Sequence, residues 1–443
     1  MRAMGRGRGT KSERSSTFAS LRFRNYRLFF AGQIISTSGT WMQTVAQGWL
    51  VLRLSHSGTD LGLITAARFL PMMLFSPWGG LIADRLDKRR ILYVTQVLAG
   101  LLALVLAALV AGHVITLWMV AAIALTLGFV NVFDNPTRQS FIAEMVPNED
   151  LGNAITLNSV TINMARVMGP ALAGVLIATV GIAPCFVANG ASFGAVLISL
   201  VMMRAGELYP VERPTRQPGQ VREGLRYVRR TPELLVPLIM ITVVGTLAWE
   251  FQVSLPLMAR YTFHGSAATY GTMLAFMGAG AVVGGLVTAR RNRISAVGLG
   301  RSSIGWGLAI LAASVAPNLP AEYALLLLVG YGSISFNSLA KTTLQLAAVP
   351  SMRGRVMALW SVAWLGSTPV GGPVIGWIGQ TFGARWTLVV GGLATVLAGL
   401  LGYASLVKID RRAKAVLDAA VGAGTAGPVP EPAAAQVATA FEP

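Results

Sequence analysis

Three ionisable side chains stand where a chain this apolar has least reason to place them: Arg68, Arg166 and Glu250, each inside a run of apolar residues. A charge deep in a membrane-spanning helix costs at least about 2.5 kcal/mol if it faces lipid, so each needs a partner or a wet cavity. Both arginines come from the first half of the chain and Glu250 from the second. At ~1.5 Å per residue, all three lie roughly 20–25 Å from the helix ends that carry the basic loops. One shared level predicts mutual pairing, or a site for an anionic or catechol-like group with a proton carried on Glu250. The competing role is structural, with the arginines bonding carbonyls freed near proline breaks and Glu250 pairing with one of them.

Around these charges run polar stripes. In the first apolar run Gln33, Thr37, Thr40, Thr44 and Gln47 are spaced 4, 3, 4 and 3 residues apart, which is one helical face, with Gln43 at its edge. Thr can turn its hydroxyl onto the helix backbone but Gln cannot, so this face is expected to line a cavity or pack on protein. The fifth run repeats the pattern with Thr156, Ser159, Asn163 and Arg166, and Thr242, Thr246 and Ser254 flank Glu250. The candidate cavity is therefore Gln33, Thr37, Thr40, Thr44, Arg68, Asn163, Arg166 and Glu250, with Glu250 the candidate proton-coupling group. Hydrogen bonding between helices is the alternative use of the same residues. Trp41, Trp249 and Trp364 are candidates for stacking on an aromatic ligand or for packing.

Other chemistry finds little support. No G-x-x-x-x-G-K-[ST] and no H-E-x-x-H occurs. His56, His113 and His264 fall in short loops without metal-ligand spacing, and Cys185 sits in an apolar stretch. No catalytic residue, metal or cofactor is assigned, and the chain is not read as an enzyme.

The elements that must hold these residues follow from composition. Of 443 residues 54% are hydrophobic and only 12% charged, half the charge of an average soluble protein. Apolar runs of about 20 residues recur along the chain, the length that crosses a ~30 Å hydrocarbon core. The prediction is an all-α polytopic membrane protein of twelve spans, beginning near Tyr26, Asp60, Arg90, Val114, Gly152, Ile182, Leu234, Ala268, Ala296, Ala321, Val356 and Ala384. Residues 26–204 and 234–408 are then two six-helix bundles, joined by a linker at 205–233 whose stretch VREGLRYVRR suits an interfacial amphipathic helix. A basic tail (1–25) precedes them and an Ala/Pro-rich tail (409–443), expected to be disordered, follows.

The net charge of +18 resides in clusters between spans, at 2–27, 85–90, 213–230, 290–293 and 353–355, and the other side keeps only Arg53, Arg260 and Arg385. Lysine and arginine gather in cytoplasmic loops, so both termini are expected inside the cell. The charge is topology signal; nucleic acid is not an expected partner, whereas the bilayer and a small molecule are.

The two halves echo each other. Val146-Pro147 returns as Val349-Pro350 and Gly169-Pro170 as Gly372-Pro373, both at an offset of 203. Gly79-Gly80-Leu81 returns as Gly284-Gly285-Leu286, and Ser159-Val160 as Ser361-Val362. Paired bundles around a central site are a recurring plan of secondary transporters.

The turn GGLIADRLDKRR (79–90) packs six charges behind the second span. Gly80-x-x-x-Asp84-Arg85-x-Asp87-Lys88-Arg89-Arg90 resembles the loop between helices two and three of the major facilitator superfamily, with Asp87 in place of the usual glycine. Its D-R-x-D-[RK]-R-R form is similar to the drug:proton antiporter branch that includes enterobactin exporters and macrolide efflux proteins. Arg166-Val-Met-Gly169-Pro170-Ala-Leu-Ala-Gly174 is a partial match to that superfamily's antiporter motif, and FDNPTRQSFIAEMVP (133–147) is typical of the branch. The resemblance implies a conformational latch at Gly80, Asp84, Arg85, Lys88, Arg89 and Arg90. The second-half copy, GGLVTARRNR, carries Ala289 at the Asp position and would be an incomplete latch. It further implies export of a siderophore or drug powered by the proton gradient; two bundles in one chain are complete in principle, so a monomer is expected. An uptake transporter of the same fold, or a membrane sensor, are the alternatives.

Overall fold

The computed structural model describes residues 18–209, 220–290 and 296–422, and the side chain of Asp84 is outside the description. The first half consists of α1 (Arg24–Ser55), α2 (Gly58–Arg85), α3 (Lys88–Ala111), α4 (Leu117–Met145), α5 (Asn148–Thr179) and α6 (Ala183–Met202). Short turns join them, and side chains cap several starts. Ser57 accepts from the Asp60 N–H at 3.1 Å and Asp87 from the Arg90 N–H at 3.2 Å. Asp87 is thus the N-cap of α3, a use that a glycine there could not serve as well.

The linker contains α7 (Gln220–Arg230), as the amphipathic stretch predicted. Val228 is buried, the Tyr227 hydroxyl accepts from the Val349 N–H at 3.4 Å, and Glu223 pairs with Arg355 at 2.6 Å. The helix is fastened to the second half. The linker's first residues belong to the other half, where the Tyr209 N–H bonds the Glu144 carbonyl at 2.8 Å.

Two spans of the second half are broken. The seventh is α8 (Pro232–Leu247) followed by α9 (Phe251–Leu257) and a π turn (Met258–Thr262). No proline lies at this break; the Ala248 and Trp249 N–H groups both bond the Val244 carbonyl and end the helix there. After α10 (Ala267–Arg290), α11 (Ala296–Ser314) and α12 (Leu319–Ala347), the eleventh span is α13 (Arg353–Leu365) then α14 (Thr368–Thr381). Here Pro369 supplies no N–H for the Leu365 carbonyl, and the chain turns at Gly366-Ser367.

The last helix, α15 (Ala384–Gly422), runs on beyond the expected end of the bundle at 408, although its apolar span ends at Ile409. Its extension, KIDRRAKAVLDAAVG, is rich in Ala, Lys, Arg and Leu, strong helix formers, with no Gly or Pro before Gly422. The rest of the Ala/Pro tail, residues 1–17 and 210–219 lie outside the described residues. Phe18–Phe23 pack on the start of α5, where Ser20 is buried against Asn153 and Arg22 pairs with Asp150 at 2.5 Å.

Eight of these spans are long and apolar enough to cross a membrane outright. The other four are α1 and α2, which carry the polar stripe and Arg68, α11, which is 19 residues long, and the broken eleventh span. The internal repeat is visible in packing: α2 on α4 and α3 on α6 are matched by α10 on α12 and α11 on α15. A Cβ on Gly79 would strike the Val132 carbonyl, and one on Gly284 would lie 2.6 Å from that of Tyr331. Glycine in both copies lets helix backbones touch.

The halves meet along two seams, α2 against α14 and α5 against α10. Gly58 and Gly62 face Gly376 and Gly372 in the first, and Gly174 and Pro170 face Ala268 and Gly271 in the second. These residues all lie in the helix segments away from the 85–90 turn. Three hydrogen bonds cross between halves among the described residues: Gly58 N–H to Gln380 (2.7 Å), Arg260 to the Leu52 carbonyl (2.5 Å) and Tyr261 to the His56 carbonyl (2.8 Å). All three lie on the face opposite the basic turn. The molecule is closed there and parted on the basic face.

Candidate functional site

Just inside the closed face, Thr44, Gln47 and Gly48 of α1, Thr65 and Arg68 of α2, and Gln252 of α9 enclose a small cavity. Arg68 Nη1 donates to Thr44 Oγ1 at 3.1 Å, and Gln47 Oε1 has no hydrogen-bond partner among the described residues. Thr44 and Gln47, at the upper end of the α1 stripe, line this space together with Arg68. Gln252 was not anticipated; the break in the seventh span turns it toward the first half while Glu250 points elsewhere. The cavity volume is about 20 Å³, room for about one water. This is the inter-half space pinched shut, too small for a drug-sized molecule.

The three deep charges do not pair. Among the described residues no ion pair joins Glu250 to Arg68 or Arg166. Glu250, 3% exposed, lies in the break between α8 and α9 and turns into its own half, where its Oε1 has no hydrogen-bond partner among the described residues. A Cβ on Gly371 would come within 2.9 Å of that oxygen. Glu250 thus sits where the two broken spans cross. Trp249 packs against Trp364 at 4.4 Å between centroids and against Trp306 at 5.9 Å, so these rings pack on one another.

Arg166 lies over the Trp41 ring at 5.4 Å, a cation–π contact that replaces the expected carboxylate. Gly169 lets α5 close on α1, since a Cβ there would lie 2.5 Å from that of Trp41 and 2.6 Å from the Ser38 carbonyl. Pro170 and Gly174 face α10 across the seam. The antiporter-like stretch is the joint between α1, α5 and the other half. Toward the basic face the halves separate, and Thr156 and Ser159 are exposed with Asn163 half-exposed beside them, all three bonded to their own helix backbone.

Thr37 and Thr40 of α1 are half-buried, and Thr40 bonds the Ser36 carbonyl. Gln33 departs from the cavity role. It is buried, and its Oε1 accepts from Arg138 at 2.9 Å. Arg138 is ion-paired with Asp134, which also accepts from Thr95 (2.8 Å) and Gln96 (2.7 Å). Asp134 is only 2% exposed, so this is a buried charged network, satisfied on several sides, tying α1, α3 and α4. Sequence reasoning passed over it although the i, i+4 spacing of Asp134 and Arg138 in an apolar span was a usable signal.

In the turn at 84–90, Lys88 pairs with Glu144, and Arg89 donates to the Leu200 carbonyl at the end of α6. Both are ties within the first half. Arg85 and Arg90 are exposed and Gly80 is half-exposed. Among the described residues no group of His, Cys, Asp and Glu could hold a metal ion.

The profile of a family described as transmembrane secretion effectors matches residues 15–421. The chain belongs to this family, a branch of the major facilitator superfamily. The transporter is 24% identical to the staphyloferrin A transporter of Staphylococcus aureus over 85% of its own length and 95% of that protein. It is 25% identical to the multidrug efflux pump Tap of Mycobacterium tuberculosis (89% and 97%) and 26% to the enterobactin exporter EntS of Citrobacter koseri (85% and 90%). In fold the transporter matches a bacterial homolog of the human lysosomal transporter Spinster in an inward-facing, unoccupied conformation, with TM-score 0.67 and 16% identity over 90% of this chain and 99% of that one. It is a multi-pass membrane protein.

Proposed function

We propose that this transporter is a proton-coupled antiporter that exports small amphipathic molecules of the siderophore or drug class by alternating access, with the basic face and both termini in the cytoplasm. One observation carries the reading: the three hydrogen bonds that join the halves, and the glycine approaches at Gly58, Gly62, Gly174 and Gly271, lie on the face opposite the basic turn. That describes a cargo-loading state open to the cytoplasm. The relatives named as siderophore and multidrug exporters support the direction and the cargo class.

In the opposite state the basic face closes, and Asp84 and Arg85 latch it. Glu250 is the coupling group. A bare carboxylate at its position costs several kcal/mol, a proton removes that cost, and its place between the two broken spans lets its charge state bias how α8 and α14 pack. The reading is tested with inside-out vesicles holding a proton gradient and a pH-sensitive dye. Candidate cargo should collapse the gradient with the wild type, while Glu250→Gln inserts normally but leaves the gradient intact. Wild-type behaviour of Glu250→Gln removes Glu250 from the mechanism, and cargo movement indifferent to protonophores removes proton coupling.

A further inference from the structure

The internal repeat places a second cation opposite Arg138. Val146-Pro147 and Val349-Pro350 align the halves at an offset of 203, and the same offset carries Arg138 of α4 onto Lys341 of α12. Each stands nine residues before its proline, near the basic end of a 29-residue helix. Neither α4 nor α12 belongs to a seam between the halves, and both run to the basic face, where the halves are parted.

The face of α12 that holds Lys341 is polar. At about 100° per residue, Asn337, Ser338 and Gln345 lie within about 60° of it, whereas the exposed apolar residues Leu328 and Leu346 lie about 140° round the helix. Leu328 and Leu346 suit lipid; Lys341 does not share their side. Its ammonium is exposed and lies 5.4 Å from the centre of the Trp360 ring of α13. The Trp360 Nε1–H has no acceptor among the described residues.

Here the symmetry fails in an informative way. Arg138 is neutralised by Asp134, four residues earlier. The offset carries Asp134 onto Asn337, an amide with no charge to give. Among the described residues no carboxylate pairs with Lys341. One half has a complete ion pair; the other has the cation alone, beside an aromatic ring.

We propose that the missing carboxylate is supplied by the cargo: Lys341 and Trp360 form a subsite for an aromatic or amphipathic carboxylate. This deepens the export reading and rests on it for the word cargo, but its test needs no gradient. The full-length protein in phosphatidylcholine nanodiscs, which present no anionic lipid, is titrated with 1-naphthaleneacetate and its neutral isostere 1-naphthaleneacetamide, with empty nanodiscs subtracted. The acid should bind about ten- to a hundredfold more tightly than the amide. Lys341→Arg keeps that preference and Lys341→Gln loses it. Asn337→Asp, which rebuilds in the second half the pair of the first, also loses it by occupying Lys341 internally. Equal affinity for acid and amide in the wild type overturns the proposal, as does a preference that survives both Lys341→Gln and Asn337→Asp. Failure of proton coupling in vesicles would leave this binding result untouched, so the two readings fall separately.

Discussion

Gly271 offers the sharpest test of the closed seam. A Cβ at this position would lie 2.5 Å from the Pro170 carbonyl oxygen and 3.1 Å from the Gly174 nitrogen, both backbone atoms of α5 across the inter-half boundary. Ordinary contact begins near 3.4 Å, so Gly271→Ala requires α5 and α10 to part by about 0.9 Å. No flexible side chain stands there to absorb the intrusion. Overpacking of this kind costs about 1–3 kcal/mol, and it is paid only while the face is closed. The closed state should therefore lose population by about 5- to 150-fold against its open alternative. The helix propensity gained from Gly to Ala, up to about 1 kcal/mol, acts in both states and cancels. Gly152→Ala is the control, because nothing lies within 4 Å of a Cβ there. With Cys185→Ser as background, spin labels at His56 and His264, exposed on the closed face of either half, report the opening by pulsed electron resonance. Wild type and Gly152→Ala should give a short distance and Gly271→Ala a longer one. If Gly271→Ala and Gly152→Ala have the same distance distribution, backbone contact does not hold this face shut.

Two further outcomes follow from the ion pairs. Asp134→Asn leaves the part-exposed Arg138 without its carboxylate and should cost about 1–3 kcal/mol, seen as a lower melting temperature, with Asp134→Asn/Arg138→Gln recovering part of the loss. Glu223→Gln breaks the pair that docks α7, but Glu223 is 58% exposed, so the cost should be at most about 1 kcal/mol and should vanish in high salt; a larger drop in thermal stability would mean that α7 is held by that charge.

The architecture was legible because twelve apolar runs, basic clusters at alternate turns and an offset of 203 are properties of the chain itself. Part of the site was legible for the same reason: the α1 stripe at Thr44 and Gln47 meets Arg68 because spacing dictates a helical face. Three things were not. The breaks at Trp249–Glu250 and Gly366–Ser367 depend on how spans seven and eleven cross, and the first has no proline to announce it. That crossing turns Glu250 away from the arginines, which depth along a helix could not reveal. Gln33 lay on the correct face but at the level of Arg138, so a buried network claimed it. Lys341 escaped notice because it stands near the basic end of its span, where a lysine is ordinarily a topology signal.

The seams of the closed face also set an energy scale. They are built of glycine against carbonyl and carry two neutral hydrogen bonds and one charge-assisted bond from Arg260, together worth roughly 2.5–6 kcal/mol. No ion pair among the described residues must be desolvated or torn apart to separate them. One elementary charge falling through 100 mV releases about 2.3 kcal/mol, close to the lower end of that range, so the polar ties of this joint are a light spring rather than a bolt.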